Sequence, residues 1–270
     1  MVLINKMTRN IIFIDGSYFV FYRYYAVMAW WKIAKKETPL CEKPIENEEF
    51  VASFKRTFIK KIKDIPKKLK IKDAEIIVGK DCTRRDIWRN EFIDGYKGNR
   101  DYSNFHGGPF FKMAYDELFA EAGIQHVLYH PRLEADDCIA ITTKHLINTI
   151  PDIKITIITA DQDYLQLIND QTDIFTLKLK PLRTEKNSSG NSECDLFCKI
   201  ILGDKSDNIP RVFKKCGKKT ALKLWNDENS LRDKLEKEDA VENFNKNKKL
   251  IDFKEIPEEL SNEFLFLLHI

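Results

Sequence analysis

Five short apolar runs, near residues 10–15, 74–79, 125–129, 154–159 and 173–178, punctuate this 270-residue chain and alternate with longer segments of helical periodicity. Runs of this length, rich in Ile and Val, suit strands buried on both faces. Such strands pair in parallel through crossovers that are almost always right-handed. The pattern predicts an α/β chain with a mainly parallel twisted sheet flanked by helices. Residues 1–180 are expected to form the core and residues 181–270 a helical C-terminal region, the two making one compact unit, because a chain of this length buries one substantial core. Helices are expected over 85–96, 110–122, 236–247 and 258–269, with a polar, mobile loop over 181–194 and a surface excursion over 30–47.

The ends of these runs carry acids. The first stops at Asp15-Gly16 and the second leads through Lys80 to Asp81. The third precedes a helix beginning near Glu134-Ala135-Asp136-Asp137, and the fourth delivers Asp161 and Asp163. Ligands of open α/β sheets bind in the crevice beyond the carboxyl ends of the strands, so these acids are expected to converge there. Carboxylates held close together repel and cost stability unless cations lie between them. Mg²⁺ is the natural filler, because it takes oxygen ligands and keeps several waters. Two such ions about 3.5–4 Å apart clamp the attacking and leaving oxygens of an in-line phosphodiester displacement. For any single acidic pair, the plainer alternative is that it complements a helix dipole.

One further pair, Asp204 and Asp207, lies in Gly203-Asp204-Lys205-Ser206-Asp207-Asn208-Ile209-Pro210. Six elements in one order carry a resemblance: Asp15-Gly16-Ser17 with Tyr22-Arg23; Asp81 with Trp88-Arg89 and Tyr96-Lys97-Gly98-Asn99-Arg100; Glu134-Ala135-Asp136-Asp137; Thr159-Ala160-Asp161-Gln162-Asp163-Tyr164; the 203–210 stretch; and Gly217-Lys218-Lys219-Thr220-Ala221. From residue 11 to about residue 224 the chain resembles the 5′ nucleases, which comprise flap endonucleases, phage 5′–3′ exonucleases of the RNase H type and the 5′-nuclease domain of bacterial DNA polymerases.

The resemblance implies a PIN-like fold and hydrolysis that leaves a 5′-phosphate on DNA flaps, nicks, ends or RNA-primed duplexes. It implies two Mg²⁺ ions, with Mn²⁺ as a substitute. One site would be built around Asp15, Asp81, Glu134 and Asp136. The other would draw on Asp137, Asp161 and Asp163, with Asp204 and Asp207 nearby and acting through water. Lys97 and Arg100 match basic residues near the scissile phosphate, at the base of a gateway that admits a 5′ strand, and Arg23 and Arg89 are second candidates for the same work. By themselves Lys97 and Arg100 also suit an ordinary solvated basic turn. Tyr18, Tyr22 and Tyr25 match aromatics that stack on a duplex end, and equally suit the packed face of a first helix.

The stretch after Pro210 resembles the family's helix-turn-helix-like duplex-binding motif. It retains Gly217, with Lys218, Lys219 and Thr220 after it, and Lys205 and Ser206 precede it. It lacks the earlier glycines of the family, which leaves the family's K⁺ ion at this turn unsupported. Arg211, Lys214 and Lys215 offer long-range attraction instead.

Composition agrees with a nucleic-acid partner. The formal charge is +3, and without the nine candidate acids the remainder carries +12. Lysines and Arg56 over residues 55–72 supply much of this, either as a DNA patch or as the solvated side of an amphipathic helix built on Phe54, Phe58, Ile62 and Ile65. No run of eighteen apolar residues and no secretory start is present, so a soluble, intracellular monomer without a membrane partner is expected. The six cysteines show no paired zinc spacing and are expected to be reduced. Two other classes stay open: a PIN-type ribonuclease, and a noncatalytic DNA-binding scaffold.

Overall fold

The computed structural model describes residues 8–184 and 188–268. Five strands form one sheet: β1 (Arg9–Asp15), β2 (Ala74–Gly79), β3 (His126–Leu128), β4 (Ile153–Ile158) and β5 (Thr172–Phe175). Their order is β3-β2-β1-β4-β5 and every pairing is parallel. Asp15 is level with Gly79, and Ile14 with Ile158, so the chain leaves β1, β2 and β4 at one height on one edge. The acid-bearing segments begin there.

Side chains alternate across the sheet with the strand period of two. Ile12 and Ile14 face α1 (Gly16–Ala34) and α2 (Glu48–Leu69), together with α3 (Gly108–Met113), which runs through one π-helical turn into α4 (Phe119–Glu121). Ile11 and Phe13 face α5 (Ala135–Thr149) and, later in the chain, α10 (Glu258–Phe266). The first layer is dense in rings: Phe19 and Phe58 meet edge to face at 4.8 Å, and Phe54 meets Phe110 at 4.8 Å. Each such fully buried ring contributes roughly 1.5–3 kcal/mol by transfer from water.

Sequence logic explains α2 end to end. Asn47 caps it by accepting from the Phe50 N–H, Glu48 and Glu49 occupy its first turn, Lys67 and Lys68 its last, and Lys70 closes it in the left-handed region. Phe54, Phe58, Ile62 and Ile65 are buried, while Arg56, Lys60, Lys63, Lys67 and Lys68 are exposed. Its lysines therefore form the polar side of an amphipathic helix.

The helical C-terminal region comprises α6 (Ser192–Leu202), α7 (Lys218–Trp225), α8 (Glu228–Lys237), α9 (Val241–Ile251) and α10. Phe213, Ala221 and Leu224 pack against Cys194, Cys198 and Ile201 of α6. The six cysteines are free, and five are buried.

Several expected boundaries differ. Residues 85–96 are not one helix but short 3₁₀ turns at Arg84–Asp86 and Trp88–Glu91, followed by left-handed Gly95 and Lys97. Trp88 and Tyr96 are each drawn to acids elsewhere in the fold, and one helix cannot serve both. The helix expected over 236–247 is split between α8 and α9 at left-handed Asp239 and buried Ala240. The last expected helix stops at Phe266, and its terminal His269 lies outside the described residues, as do 185–187 of the 181–194 loop. The following part of that loop is tied down, because Asp195 accepts from Ser188 Oγ at 2.8 Å and Ser189 N at 2.7 Å.

Candidate active site

Asp15 closes β1 and caps α1, accepting from the Tyr18 N–H at 3.0 Å and the Thr159 hydroxyl at 3.3 Å. Gly16 follows because a Cβ there would lie 2.5 Å from the Gly79 carbonyl. Asp81, two residues beyond β2, accepts from the Ser17 hydroxyl and from the Ala135 N–H at 2.9 Å, which locks the start of α5 to the strand edge. Asp161 caps the 3₁₀ turn Gln162–Leu167 by accepting from the Asp163 N–H.

Asp204 and Asp207 arrive from the helical region through a tight turn. Gly203 is left-handed (φ 64°), and a Cβ there would sit 2.4 Å from the Ile209 carbonyl, while Asp204 and Ile209 exchange backbone hydrogen bonds at 3.0 and 2.7 Å. No residue but glycine fits that position without displacing the turn.

The result is a cavity of about 790 Å³ beyond the strand ends, lined by Asp15, Asp81, Glu134, Asp136, Asp161, Asp163 and Asp204. Two groups of acids approach most closely: Glu134, Asp136 and Asp137 place one oxygen each within 4.8 Å of one another, and so do Asp163, Asp204 and Asp207. Basic side chains lie among them. Lys97 pairs with Glu134 and lies 3.7 Å from Asp207, Arg100 pairs with Asp207, and Lys199 pairs with Asp163 and, at 2.9 Å, with Asp204. Lys97 holds a left-handed backbone (φ 55°), with its N–H donating to the Asp207 carbonyl at 3.0 Å.

Burial and the neighbouring Asp81 raise the Asp15 carboxyl to about 7. Burial raises Asp163 to about 7 despite Lys199, with Asp161 adding repulsion. Asp136 is driven well above the usual carboxylate range by burial, Asp137 and Glu134. Burial also opposes ionisation of Asp204, but Lys199 and the Ser206 donors outweigh it and hold that carboxyl at about 2. Lys97 and Lys199 stay cationic because Glu134 and Asp163 respectively overcome their burial.

The donor set fits hard divalent cations. It consists of carboxylate oxygens, and the nearby Cys82 thiol is pushed up to about 12 by burial and Glu134, so it offers no thiolate.

A pH dependence follows. A carboxyl raised in the fold from 3.8 to about 7 gives the cation-free protein a stabilisation that is complete below pH 4 and lost as pH rises through 7. A cation held by these carboxylates would have to displace those protons. The melting-temperature gain from a divalent cation over EDTA is therefore expected to grow from pH 5.5 to 7.5 and then level off. A gain independent of pH would show that Asp15 and Asp163 do not hold the ion.

Other expected residues are arranged differently. Asp137 is fully buried behind the cavity lining: Arg89 donates to both its oxygens at 2.7 Å and Trp88 Nε1 to Oδ2 at 2.9 Å. Asp207 is also buried outside the cavity lining, where it accepts from Tyr96 at 3.2 Å. Arg89, placed by the sequence near the phosphate, is itself buried between Asp137, Glu134 and the Leu250 carbonyl. Arg23 is not part of the cavity lining. Its Nε is buried without a hydrogen-bond partner, and its charge bears on Lys61 of α2. Tyr18 lines the cavity, whereas Tyr22 does not and packs against the first core layer.

Lys205, Ser206 and Lys218 reach the cavity, and Arg211 and Lys214 line an adjoining one of about 750 Å³. Lys215, Gly217 and Lys219 are exposed around the start of α7, and Thr220 is half-buried. Lys199 escaped the sequence reading. Its signal is a lone cation among Leu196, Cys198, Ile200 and Ile201, just before the Gly203-Asp204 turn.

The family model for the 5′-3′ exonuclease N-terminal resolvase-like domain matches residues 10–193. A 5′-3′ exonuclease of Bacillus subtilis (strain 168) is 34% identical over 145 residues, covering 51% of this chain and 47% of that protein, so the chain spans about half of that relative's length. A 5′-3′ exonuclease of Buchnera aphidicola subsp. Acyrthosiphon pisum is 31% identical over 235 residues, covering 82% of this chain and 72% of the relative. In fold, the chain is similar to a bacteriophage T5 flap endonuclease, solved as a pseudo-enzyme-product complex with DNA and metal ions. That likeness has a TM-score of 0.64 at 17% identity and covers 95% of this chain and 96% of that one. Matched by the family model over most of its length, and by the Buchnera relative over most of both chains, this chain belongs to the 5′-3′ exonuclease family.

Proposed function

We propose that the protein is a structure-specific, divalent-metal-dependent 5′ nuclease, a 5′–3′ exonuclease or flap endonuclease acting on DNA flaps, nicks or RNA-primed duplexes. The observation that carries this reading is the convergence of seven carboxylates from separate segments on one cavity at the strand ends, with cations at its margin. Mg²⁺ is the assigned ion, with Mn²⁺ as substitute. Asp15, Asp81, Glu134 and Asp136 hold one ion, and Asp161, Asp163 and Asp204 the other. Bound there, the ions supply Lewis acidity toward water and phosphate.

The chain's own groups do the rest. Asp137 and Asp207 anchor the basic residues around the ligands. Lys97 and Arg100, cationic at any working pH, exchange Glu134 and Asp207 for the scissile phosphate and stabilise its developing charge. Lys199 neutralises the Asp163–Asp204 pair until ions arrive. Tyr18 offers a ring at the cavity margin. Lys205, Ser206 and Lys218 grip the substrate backbone beside the cleavage site. Arg211, Lys214, Lys215, Lys219 and Thr220 hold duplex phosphates around Gly217, and a monomer suffices because one chain supplies every part.

The test is cleavage of an end-labelled 5′-flap DNA, a nicked duplex and an RNA-primed duplex, in Mg²⁺ and in EDTA. Mg²⁺-dependent cuts near the junction, leaving a 5′-phosphate, are expected. Tight binding with no cleavage of any of the three would replace this reading with a noncatalytic DNA-binding scaffold.

A further inference from the structure

A separate cavity of about 550 Å³ opens between the end of α1, the excursion that follows it and the loop carrying Phe105. Buried Trp31 lies in it, fixed by its Nε1–H donating to the Thr38 carbonyl at 3.0 Å, which folds the excursion back over α1. Lys35 is committed to Glu49 at 2.5 Å and lies over the Trp31 ring. Lys32 and Lys36 are exposed and form no ion pair among the described residues, and Glu42 is the sole acid in the lining.

This cavity is joined to the acidic one by rings. Phe21 lines the acidic cavity. Its ring lies nearly parallel to Tyr25 (9°, 6.5 Å between centroids) and to Tyr102 (19°, 6.5 Å), and it touches Phe105 at 5.0 Å. Tyr25 and Phe105 line the second cavity, and Tyr25 and Tyr102 are about half exposed. Two exposed rings, Tyr25 and Tyr102, linked through half-buried Phe21 and Phe105 and flanked by lysines without an ion pair among the described residues, match the recognition of unpaired bases on a phosphate backbone. Within a duplex the faces of the bases are hidden except at an end, so a series of rings suits an unpaired strand better.

We propose that this groove holds the unpaired 5′ portion of a flap strand beyond the acidic cavity, with Tyr25 and Tyr102 stacking its bases and Lys32 and Lys36 meeting its phosphates. The assignment rests on the nuclease reading above. It makes the excursion a determinant of flap length preference, with no part in cutting a nick.

The test uses the full chain and a Lys32→Glu/Lys36→Glu variant, assayed on a nicked duplex and on a flap of about 20 nucleotides, long enough to cross the groove. About a tenfold loss of kcat/KM on the long flap, with the nicked duplex unchanged, is expected from losing two phosphate contacts and gaining two repulsions. An equal loss on both substrates, or none on the flap, overturns the proposal. A second readout needs no catalysis: wild-type protein in EDTA is photo-crosslinked to flaps carrying 5-iododeoxyuridine at successive positions. Crosslinks at Tyr25 or Tyr102 support the groove, and crosslinks confined to other surfaces overturn it. If the wild type cuts neither substrate, the nuclease reading fails, while the crosslinks still decide the groove.

Discussion

An Asp136→Asn variant is expected to lose about 10²–10³-fold in cleavage rate while melting at a higher temperature than the wild type in EDTA. The two effects have one cause. Asp136 lines the cavity beside Asp137 and Glu134, and burial together with those two neighbours drives its pKa upward, so its negative charge is unfavourable without a cation. A neutral isostere relieves the repulsion and keeps the shape. The same change removes an anionic oxygen donor from the proposed ion site, and losing one well-placed electrostatic group in an active site typically costs about 10²–10³ in rate. Paired measurements of single-turnover cleavage in Mg²⁺ and thermal melting in EDTA check this. A variant that retains more than about a tenth of the rate would remove Asp136 from the ion site. A variant that melts lower would show that Asp136 serves the fold.

The second large effect is expected at Arg89. Replacing Arg89 with Met leaves Asp137 fully buried with only the Trp88 indole and the Glu134 N–H to satisfy it, and leaves Glu134 one donor short. Removing one partner of a buried ion pair costs about 3–5 kcal/mol, because the remaining charge is stranded. Urea unfolding should show that loss as a lower midpoint at constant slope. An Arg89→Met/Asp137→Leu double variant should recover much of the loss, since the stranded charge goes with its partner. Loss below about 1 kcal/mol in the single variant would contradict the anchor role assigned to this pair. The double variant also separates roles: if Asp137 only anchors, cleavage by the refolded double variant falls through the loosened Glu134, whose Arg89 bond is gone, and Mg²⁺ binding persists. Calorimetric titration with Mg²⁺ of the double variant beside Arg89→Met alone reads this, and binding lost in the double variant but kept in the single one would return Asp137 to the ligand set.

Much of this protein was determined by local sequence. Apolar runs of strand length, a cap at Asn47 and the period of α2 depend on neighbours a few residues apart, and the parallel-sheet rule then carries Asp15, Asp81 and Asp161 to one edge without further information. Which acids face the cavity was decided only by the tertiary structure. Asp136 and Asp137 are adjacent on α5, yet a step along a helix turns the side chain by about 100°, so one meets the cavity and the other meets an arginine 48 residues away. Arg89 and Arg23 carry the same charge in sequence; one is consumed by a buried pair and the other is absent from the cavity lining. Lys199 gains its role only because α6 folds back to lie beside Asp163, and residues 85–96 give up helical form because Trp88 and Tyr96 hydrogen-bond to acids far along the chain. Charge and periodicity are properties of a segment, whereas a buried ion pair depends on what the rest of the chain brings to it.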